Sequence, residues 1–325
     1  MNAEIDADVA GAPGPRLWDA MLQVRADALA RRESVGTTGS SRQPAQLQTL
    51  PADTLLHSHA EGWQPHPRCS AADRVAFAPH KAVLDANTDG PSGRAWLLAQ
   101  LGQSLDGCIA TRSGDSCFVT GHASLRHLHR LRALCDAVLV GAGTVAADNP
   151  QLTTRLVPGA NAARLVLDPA ARLDGQARLF HDAQAPTWWL CDSAHAAQAQ
   201  ARLGNARDGG ATVLAVQGLA HADLGPVRLV QTLQRLGLRC VLVEGGGVTV
   251  SRLLAAGCLD RLHLVIAPVL IGAGRPGLRL PQQHALMAGC PRPPSRVFAL
   301  GEDQLWDLDL QALRASDLNV QAAAP

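Results

Sequence analysis

Between residues 94 and 310 the chain alternates short apolar runs with stretches of helical spacing. Ala95 to Gln103 is a continuous apolar run that predicts a strand, and Ser104 to Gly107 makes a turn back into Cys108 to Thr111. A polar loop, Ser113 to Ser116, precedes a helix over Gly121 to Leu134, where Leu125, Leu128, Leu131 and Leu134 fall on one side. Ala137 to Val140 is the next strand, and Gly141 to Thr144 opens a short helical turn ending at Asp148 to Pro150. Further strands are expected at Arg164 to Asp168, Thr187 to Cys191 and Ala211 to Val216. A helix follows over Pro226 to Leu236, with Val227, Val230, Leu233 and Leu236 at helical spacing. The strand Cys240 to Glu244 runs into three glycines, 245 to 247, and then into a helix reaching Leu254. After Leu262 to Leu270 and a glycine-rich loop, Gly272 to Gly277, a hairpin closes the pattern: Arg296 to Leu300, a turn at Gly301 to Asp303, and Leu305 to Leu310 in alternation. Strands alternating with helices and ending in an antiparallel pair define an α/β fold with a mixed, mostly parallel sheet.

The first 90 residues read differently. Leu17 to Glu33 predicts one helix with an irregular apolar side of Leu17, Met21, Leu22 and Leu29. Ser34 to Thr49 is rich in Ser, Thr, Gln and Gly, and Pro and His punctuate the segment to Pro79. Such a segment is expected to bury little by itself, and to be an extension docked on the main domain or partly disordered, with Arg74 to Ala78 as a short added strand. The division expected is 1–90 as the extension, 91–315 as the main domain and 316–325 as a tail.

At 47% hydrophobic and 18% charged residues, the 325-residue chain has material for a substantial core. A net charge of +1 offers no field for nucleic acid, so a charged small molecule has to be met by local groups. The eight cysteines are scattered without a CxxC pair, which reads as reduced core thiols and no metal site. The run Leu262 to Ile271 is too short to span a membrane and carries His263 and Pro268, and the acidic N-terminus lacks the regions of a secretory signal. A soluble cytoplasmic protein is therefore expected. One decoy is set aside: His59-Ala-Glu61 followed by Cys69 echoes the zinc motif of nucleobase deaminases, but the PCxxC that should complete it is missing.

Candidate chemistry gathers at the glycine turns. A strand ending in Glu244 and followed by Gly245, Gly246 and Gly247 lets the backbone approach a ligand closely, and the N-terminus of the next helix favours an anion such as a pyrophosphate. The same composition also serves as a plain connection. Gly141 to Thr144 repeats the arrangement, and two such turns in one sheet can grip the two ends of a dinucleotide, although neither carries the Rossmann fingerprint. On the helical wheel Arg132 falls between Leu125 and Leu128, so this guanidinium either has an anionic partner or snorkels at the helix end. Arg126 and Arg130 point away and read as solvent-facing charges. Arg155 is a second candidate anion ligand or a solvated loop residue.

Six blocks carry a family resemblance: LGQSLDGCIA (101–110), SGDSCFVTG (113–121), HRLRALCDAVLVGAGTVAADNPQLTTR (129–155), RLVLDPAAR (164–172), VEGG (243–246) and LVIAPVLIG (264–272). In this order they resemble the pyrimidine reductase of riboflavin biosynthesis, the C-terminal half of the bifunctional deaminase/reductase, over about residues 94 to 310. The resemblance implies a dihydrofolate-reductase-like fold, a homodimer, and NADPH-dependent reduction of 5-amino-6-(5-phosphoribosylamino)uracil to its ribitylamino product, with hydride delivered to C1′ of the opened sugar. It implies substrate contacts at Ser116, Arg132, Leu152, Arg155 and Glu244, the arginines suiting the sugar phosphate. It implies an NADPH site at Gly102, Phe118, Thr144, Asp148, Pro169, Gly245, Gly246, Gly247 and Arg252. Proton delivery falls to Glu244, Asp148 or water.

Three departures qualify it. A zinc deaminase half does not precede the reductase blocks, so the chain is expected to reduce but not to deaminate. Phe118 stands where the family often has Trp. Pro169 replaces a Ser that usually helps hold the cofactor phosphate, a loss that Arg172 can offset. Two alternatives remain open: a reductase of the same fold acting on another pterin- or pyrimidine-like substrate, and a non-catalytic NADPH-binding protein.

Overall fold

The computed structural model describes residues 12–37, 55–89, 94–116, 119–204, 210–280 and 290–313. The chain divides into two compact units, Met1–Ser92 and Gly93–Pro325.

In the first unit, helix α1 (Pro15–Thr37) is followed by a hairpin of β1 (Leu56–His59) and β2 (Gly62–Pro65), then by α2 (Ala71–Phe77) and α3 (Lys81–Asp89). It has a core of its own. Leu17, Trp18, Met21, Val24 and Ala28 bury one side of α1, and Leu56, Trp63, Phe77, Val83 and Leu84 are buried with them. Trp63 is further fixed by its indole N–H, which donates to Thr88 Oγ1 at 3.0 Å, and by its backbone N–H, which donates to Asp85 at 2.7 Å. The expectation that this segment buries little is thus corrected. The apolar side of α1 runs through Trp18, Val24 and Ala28, while Leu29 is exposed. Arg74 to Ala78 is not a strand. Ser70 caps α2 by accepting from the backbone N–H of Asp73 at 3.0 Å, and the Asp73 carboxylate accepts from the Ser70 hydroxyl at 2.8 Å. Most of Ser34 to Thr49 and the expected tail 316–325 lie outside the described residues.

In the second unit the elements run β3 (Trp96–Ser104), β4 (Cys108–Ala110), α4 (His122–Leu134), β5 (Ala137–Gly141), α5 (Ala142–Asp148), β6 (Ala163–Leu167), β7 (Thr187–Asp192), α6 (Ala196–Leu203), β8 (Thr212–Val216), α7 (Leu224–Arg235), β9 (Cys240–Glu244), α8 (Gly247–Ala255), β10 (Arg261–Ala267), β11 (Arg275–Pro276), β12 (Ser295–Leu300) and β13 (Asp303–Asp309). Nine of the strands form one sheet in the order β12-β13-β10-β3-β9-β5-β6-β7-β8. From β10 to β8 every pairing is parallel, and the closing hairpin is antiparallel. This is the mixed, mostly parallel sheet that the pattern implied. The central strands β5 and β9 are buried at every residue, which is why AVLVG and CVLVE read as unbroken apolar runs with no alternation.

Several local expectations shift. The strand after Leu262 stops at Ala267, because Pro268 has no N–H to continue the ladder. The glycine-rich loop supplies β11, whose Arg275 and Pro276 pair with Ala110 and Cys108 of β4. On α7, Val227 is exposed and Pro226 and Leu229 are buried in its place. Arg130 is not solvent-facing: a wheel assumes a helix covered on one side, whereas eight of the thirteen residues of α4 are buried. Burial, then the charge of Arg126, lowers its pKa to about 10.

Candidate active site

Register partners across the sheet set up the site. Asp307, His263, Gln100, Glu244 and Val140 succeed one another over β13, β10, β3, β9 and β5, so their side chains share one face. Helix α4 adds its own polar side chains to that rank. His127 Nε2 lies 3.1 Å from His263 Nδ1, and Arg132 meets Glu244 with Nε on Oε1 at 2.6 Å and Nη2 on Oε2 at 2.7 Å. Nη1 of Arg132 donates to the carbonyl of Thr153 at 2.9 Å. The suspected anionic partner of Arg132 is therefore Glu244. Burial opposes the arginine's charge, but the adjacent carboxylate outweighs it and raises the pKa.

Arg155 completes this corner and, unlike Arg132, is exposed. Burial of part of its side chain and then the charges of Arg132 and Arg178 lower its pKa, with Glu244 acting the other way, which puts Arg132, Arg155 and Glu244 in one electrostatic neighbourhood. The backbone N–H of Arg155 donates to His129 Nδ1 at 3.0 Å, so an α4 histidine holds the loop in place. Leu152, in the same loop, is buried with φ +57°, a strained conformation for a leucine.

Beside this corner opens a cavity of about 660 Å³, within the size range of small-molecule sites. Both glycine turns line it. Gly141 and Gly143 come from the β5–α5 junction, and Gly245, Gly246 and Gly247 from the β9–α8 junction. Gly245 and Gly246 have φ of +58° and +59°, and a Cβ on Gly247 would overlap the carbonyl oxygen of Gly277. The turn therefore requires glycine and brings bare backbone and the N-terminus of α8 to the cavity wall. Gly102, Thr144, Asp148, Pro169 and Arg252 also line it, as does Ser116. Arg132, Leu152, Arg155 and Glu244 lie outside its lining, and Glu244 adjoins it through Gly245. Phe118 lies outside the described residues.

Sequence reasoning missed two further arginines of the wall, Arg275 and Arg279, and the charge of Arg275 acting on Asp148. Burial raises the pKa of Asp148, and Arg275 pulls it partly back. The cluster of charge had no spacing signal, because Arg275 and Arg279 arrive from the glycine-rich loop. His129 had one, lying three residues before Arg132 on the same helix. In the deaminase-like segment the Cys69 thiol is buried, donates to the carbonyl of Leu55 at 3.4 Å, and has its pKa raised by burial. Among the described residues no group of three or more His, Cys, Asp or Glu could hold a metal ion, and no helix is long and apolar enough to cross a membrane.

A mostly parallel sheet with a small-molecule-sized cavity over the carboxyl ends of its strands is the architecture of α/β ligand-binding enzymes. Residues 95–288 match the RibD C-terminal domain family, and the chain belongs to it. It is 34% identical over 216 residues to the 2,5-diamino-6-ribosylamino-4(3H)-pyrimidinone 5′-phosphate reductase of Methanothermobacter thermautotrophicus, covering 65% of this chain and 95% of that protein. It is 33% identical over 185 residues to the riboflavin biosynthesis protein RibD of Bacillus amyloliquefaciens, covering 56% of this chain and 47% of that one, so it spans about half the length of such relatives. The structure of Acinetobacter baumannii RibD superimposes with a TM-score of 0.57 at 26% identity, over 73% of this chain and 63% of that one. The fold is that of the dihydrofolate-reductase-like riboflavin reductases, and membership of this reductase family implies a nicotinamide cofactor.

Proposed function

We propose that the chain catalyses NADPH-dependent reduction of a phosphoribosylamino-pyrimidine, 5-amino-6-(5-phosphoribosylamino)uracil, to the ribitylamino product in riboflavin biosynthesis. The observation that carries this reading is the cavity joining two glycine turns, with Glu244 at its Gly245 end held by Arg132 and accompanied by Arg155. The residues of this cavity suit the cofactor: Gly245, Gly246 and Gly247 bring bare backbone and the N-terminus of α8 to its wall, and Arg172, Arg252, Arg275 and Arg279 bring positive charge there for phosphates. NADPH over NADH rests on those arginines, Arg172 standing in for what Pro169 lacks. Bound there, the reduced nicotinamide supplies the hydride.

The chain's own residues then divide the work. Arg155, exposed and next to Arg132, meets the sugar phosphate, while Arg132 is a positioning residue that holds Glu244. Ser116 and the Leu152 loop border the sugar. Asp148 serves as the proton donor: with Thr144 it shares the cavity wall with the cofactor glycines, and burial raises its pKa. The protein is read as a soluble, cytoplasmic homodimer.

A second reading changes only the base. The Methanothermobacter relative, 95% of whose length this chain covers, is named for the 2,5-diamino-pyrimidinone form of the substrate. Measuring NADPH oxidation with both pyrimidines separates the two. Complementation of a riboflavin auxotroph lacking only the reductase step tests the whole: growth restored by wild type but not by Glu244→Ala or Arg155→Ala is expected. No growth, and no turnover of either pyrimidine, would falsify the assignment and leave a reductase of another heterocycle or a NADPH-binding protein.

A further inference from the structure

The segment that echoes a deaminase motif carries a different arrangement on the hairpin of β1 and β2. Antiparallel register sets Leu56 opposite Pro65 and Ser58 opposite Trp63, and Leu56 and Trp63 are buried in the core of the first unit. Side chains alternate along a strand, so His57 and His59 share the other face of β1, the first half-buried and the second exposed. Their ring centres lie 4.4 Å apart with the planes at 74°, and His66, just past β2, stands 5.8 Å from His57. Burial, followed by the charges of His59 and His66, lowers the pKa of His57, so a neutral ring is favoured at pH 7. Its Nδ1 is buried without a hydrogen-bond partner, and a group such as this is explained when a ligand completes it. His66 is engaged otherwise, because its Nδ1 accepts from the backbone N–H of Arg68 at 3.1 Å.

We propose that His57 and His59 form a two-imidazole chelate for a divalent transition-metal ion of the Zn²⁺, Ni²⁺ and Cu²⁺ class, with water in the remaining positions. Neither residue lines the cavity, and the site is independent of the function proposed above. Same-face neighbours on a strand are about 7 Å apart along the chain, near enough for both side chains to lean onto one ion. Two imidazoles that each hold an ion through a nitrogen at about 2 Å have their ring centres about 5 Å apart. The pair at 4.4 Å therefore needs only a small opening to admit the ion. The neutral ring is the metal-binding form, so the neighbours that disfavour a proton on His57 leave its lone pair available to a metal at neutral pH. A donor set of imidazole nitrogens also selects the class: it suits Zn²⁺, Ni²⁺ and Cu²⁺, whereas Mg²⁺ and Ca²⁺ take oxygen ligands.

The test is calorimetric titration of the full chain with Zn²⁺, beside His57→Gln and His59→Gln. Each variant is expected to weaken the binding seen in wild type by about tenfold or more, since a single imidazole remains. His59 is exposed, so His59→Gln should fold as wild type does and melt at the same temperature without metal. Added Zn²⁺ should then raise the melting temperature of wild type and not that of His59→Gln. Cu²⁺ should bind more tightly than Ni²⁺ or Zn²⁺, and its EPR spectrum should show nitrogen splitting from two imidazoles in wild type and from one in His59→Gln. Excess Mg²⁺ should not displace Zn²⁺. Zn²⁺ binding of equal strength in wild type and both variants would place the ion on other histidines and overturn the proposal. A wild type that takes up no Zn²⁺, or whose Cu²⁺ spectrum shows one nitrogen only, overturns it as well.

Discussion

Arg132 grips Glu244 with two nearly parallel hydrogen bonds, 2.6 and 2.7 Å, across 112 residues of sequence, and both side chains are over nine-tenths buried. Each charge is tolerable inside the protein because of the other. Removing one strands its partner, which costs about 3–5 kcal/mol, whereas removing both costs far less. Arg132→Ala is therefore expected to lower stability in urea denaturation by that amount. Arg132→Met combined with Glu244→Leu should recover most of it while remaining inactive. A double variant as unstable as the single one would mean that the pair is not where the stability resides.

Arg155 differs in exposure, and so in what its loss should do. Among the described residues its guanidinium donates only to Thr153 Oγ1, at 3.4 Å, and the fold does not lean on it. Arg155→Ala should leave the melting temperature within a degree or so of wild type and raise KM roughly 10–100-fold, the loss of one charge-assisted contact to phosphate. The effect should vanish with a substrate lacking the 5′-phosphate. Equal losses for both substrates would move the phosphate elsewhere.

How much of this was legible in the sequence depends on how far apart the partners lie. The strands β5 and β9 announced themselves because burial on both faces leaves an unbroken apolar run, whereas the wheel left Arg132 either an anionic partner or a snorkelling position at the helix end. The identity of that partner, Glu244, follows only from the packing of α4 against β9 across 112 residues of sequence, which composition does not specify. Helix α2 carried its signal in Ser70 and Asp73, but the surrounding Pro and His obscured it. Nothing in the loop 151–155 marked Leu152 as left-handed, because a leucine is held there by tertiary contacts against its own preference.

His129 links the site to pH. Its Nδ1 accepts from the backbone N–H of Arg155, so the ring is neutral in the folded state, and burial, followed by the charges of Arg132 and Arg155, lowers its pKa from 6.5 to about 4. Below pH 6.5 the unfolded chain takes up a proton that the folded one refuses. The resulting stability is fully present above pH 6.5 and is lost as pH falls towards 4, a change of up to about 3 kcal/mol. His129→Asn, which can keep an acceptor near the Nδ1 position, should flatten the pH dependence of the denaturation free energy over that window relative to wild type. Identical pH profiles for the two proteins would show that this histidine titrates freely.

The glycine turn gives the sharpest contrast between neighbouring substitutions. At Gly246, φ is +59° and a Cβ would sit 2.9 Å from Thr144 Oγ1, the movable end of a side chain. At Gly247, the Cβ would collide with the carbonyl of Gly277 and approach that of Pro276 to 3.0 Å, both backbone. Rotation of Thr144 relieves the first clash, leaving mainly the cost of a left-handed alanine, about 1–2 kcal/mol. The second can be relieved only by separating α8 from the Gly272–Gly277 loop, which carries Arg275 on the cavity wall. Gly246→Ala is therefore expected to lose modest stability and a few-fold in NADPH affinity. Gly247→Ala should lose NADPH binding by tenfold or more in a fluorescence titration, together with a larger drop in melting temperature. Near-equal effects of the two alanines would mean that the clash with Gly277 is absorbed locally, and that α8 and this loop do not act as one wall of the cofactor cavity.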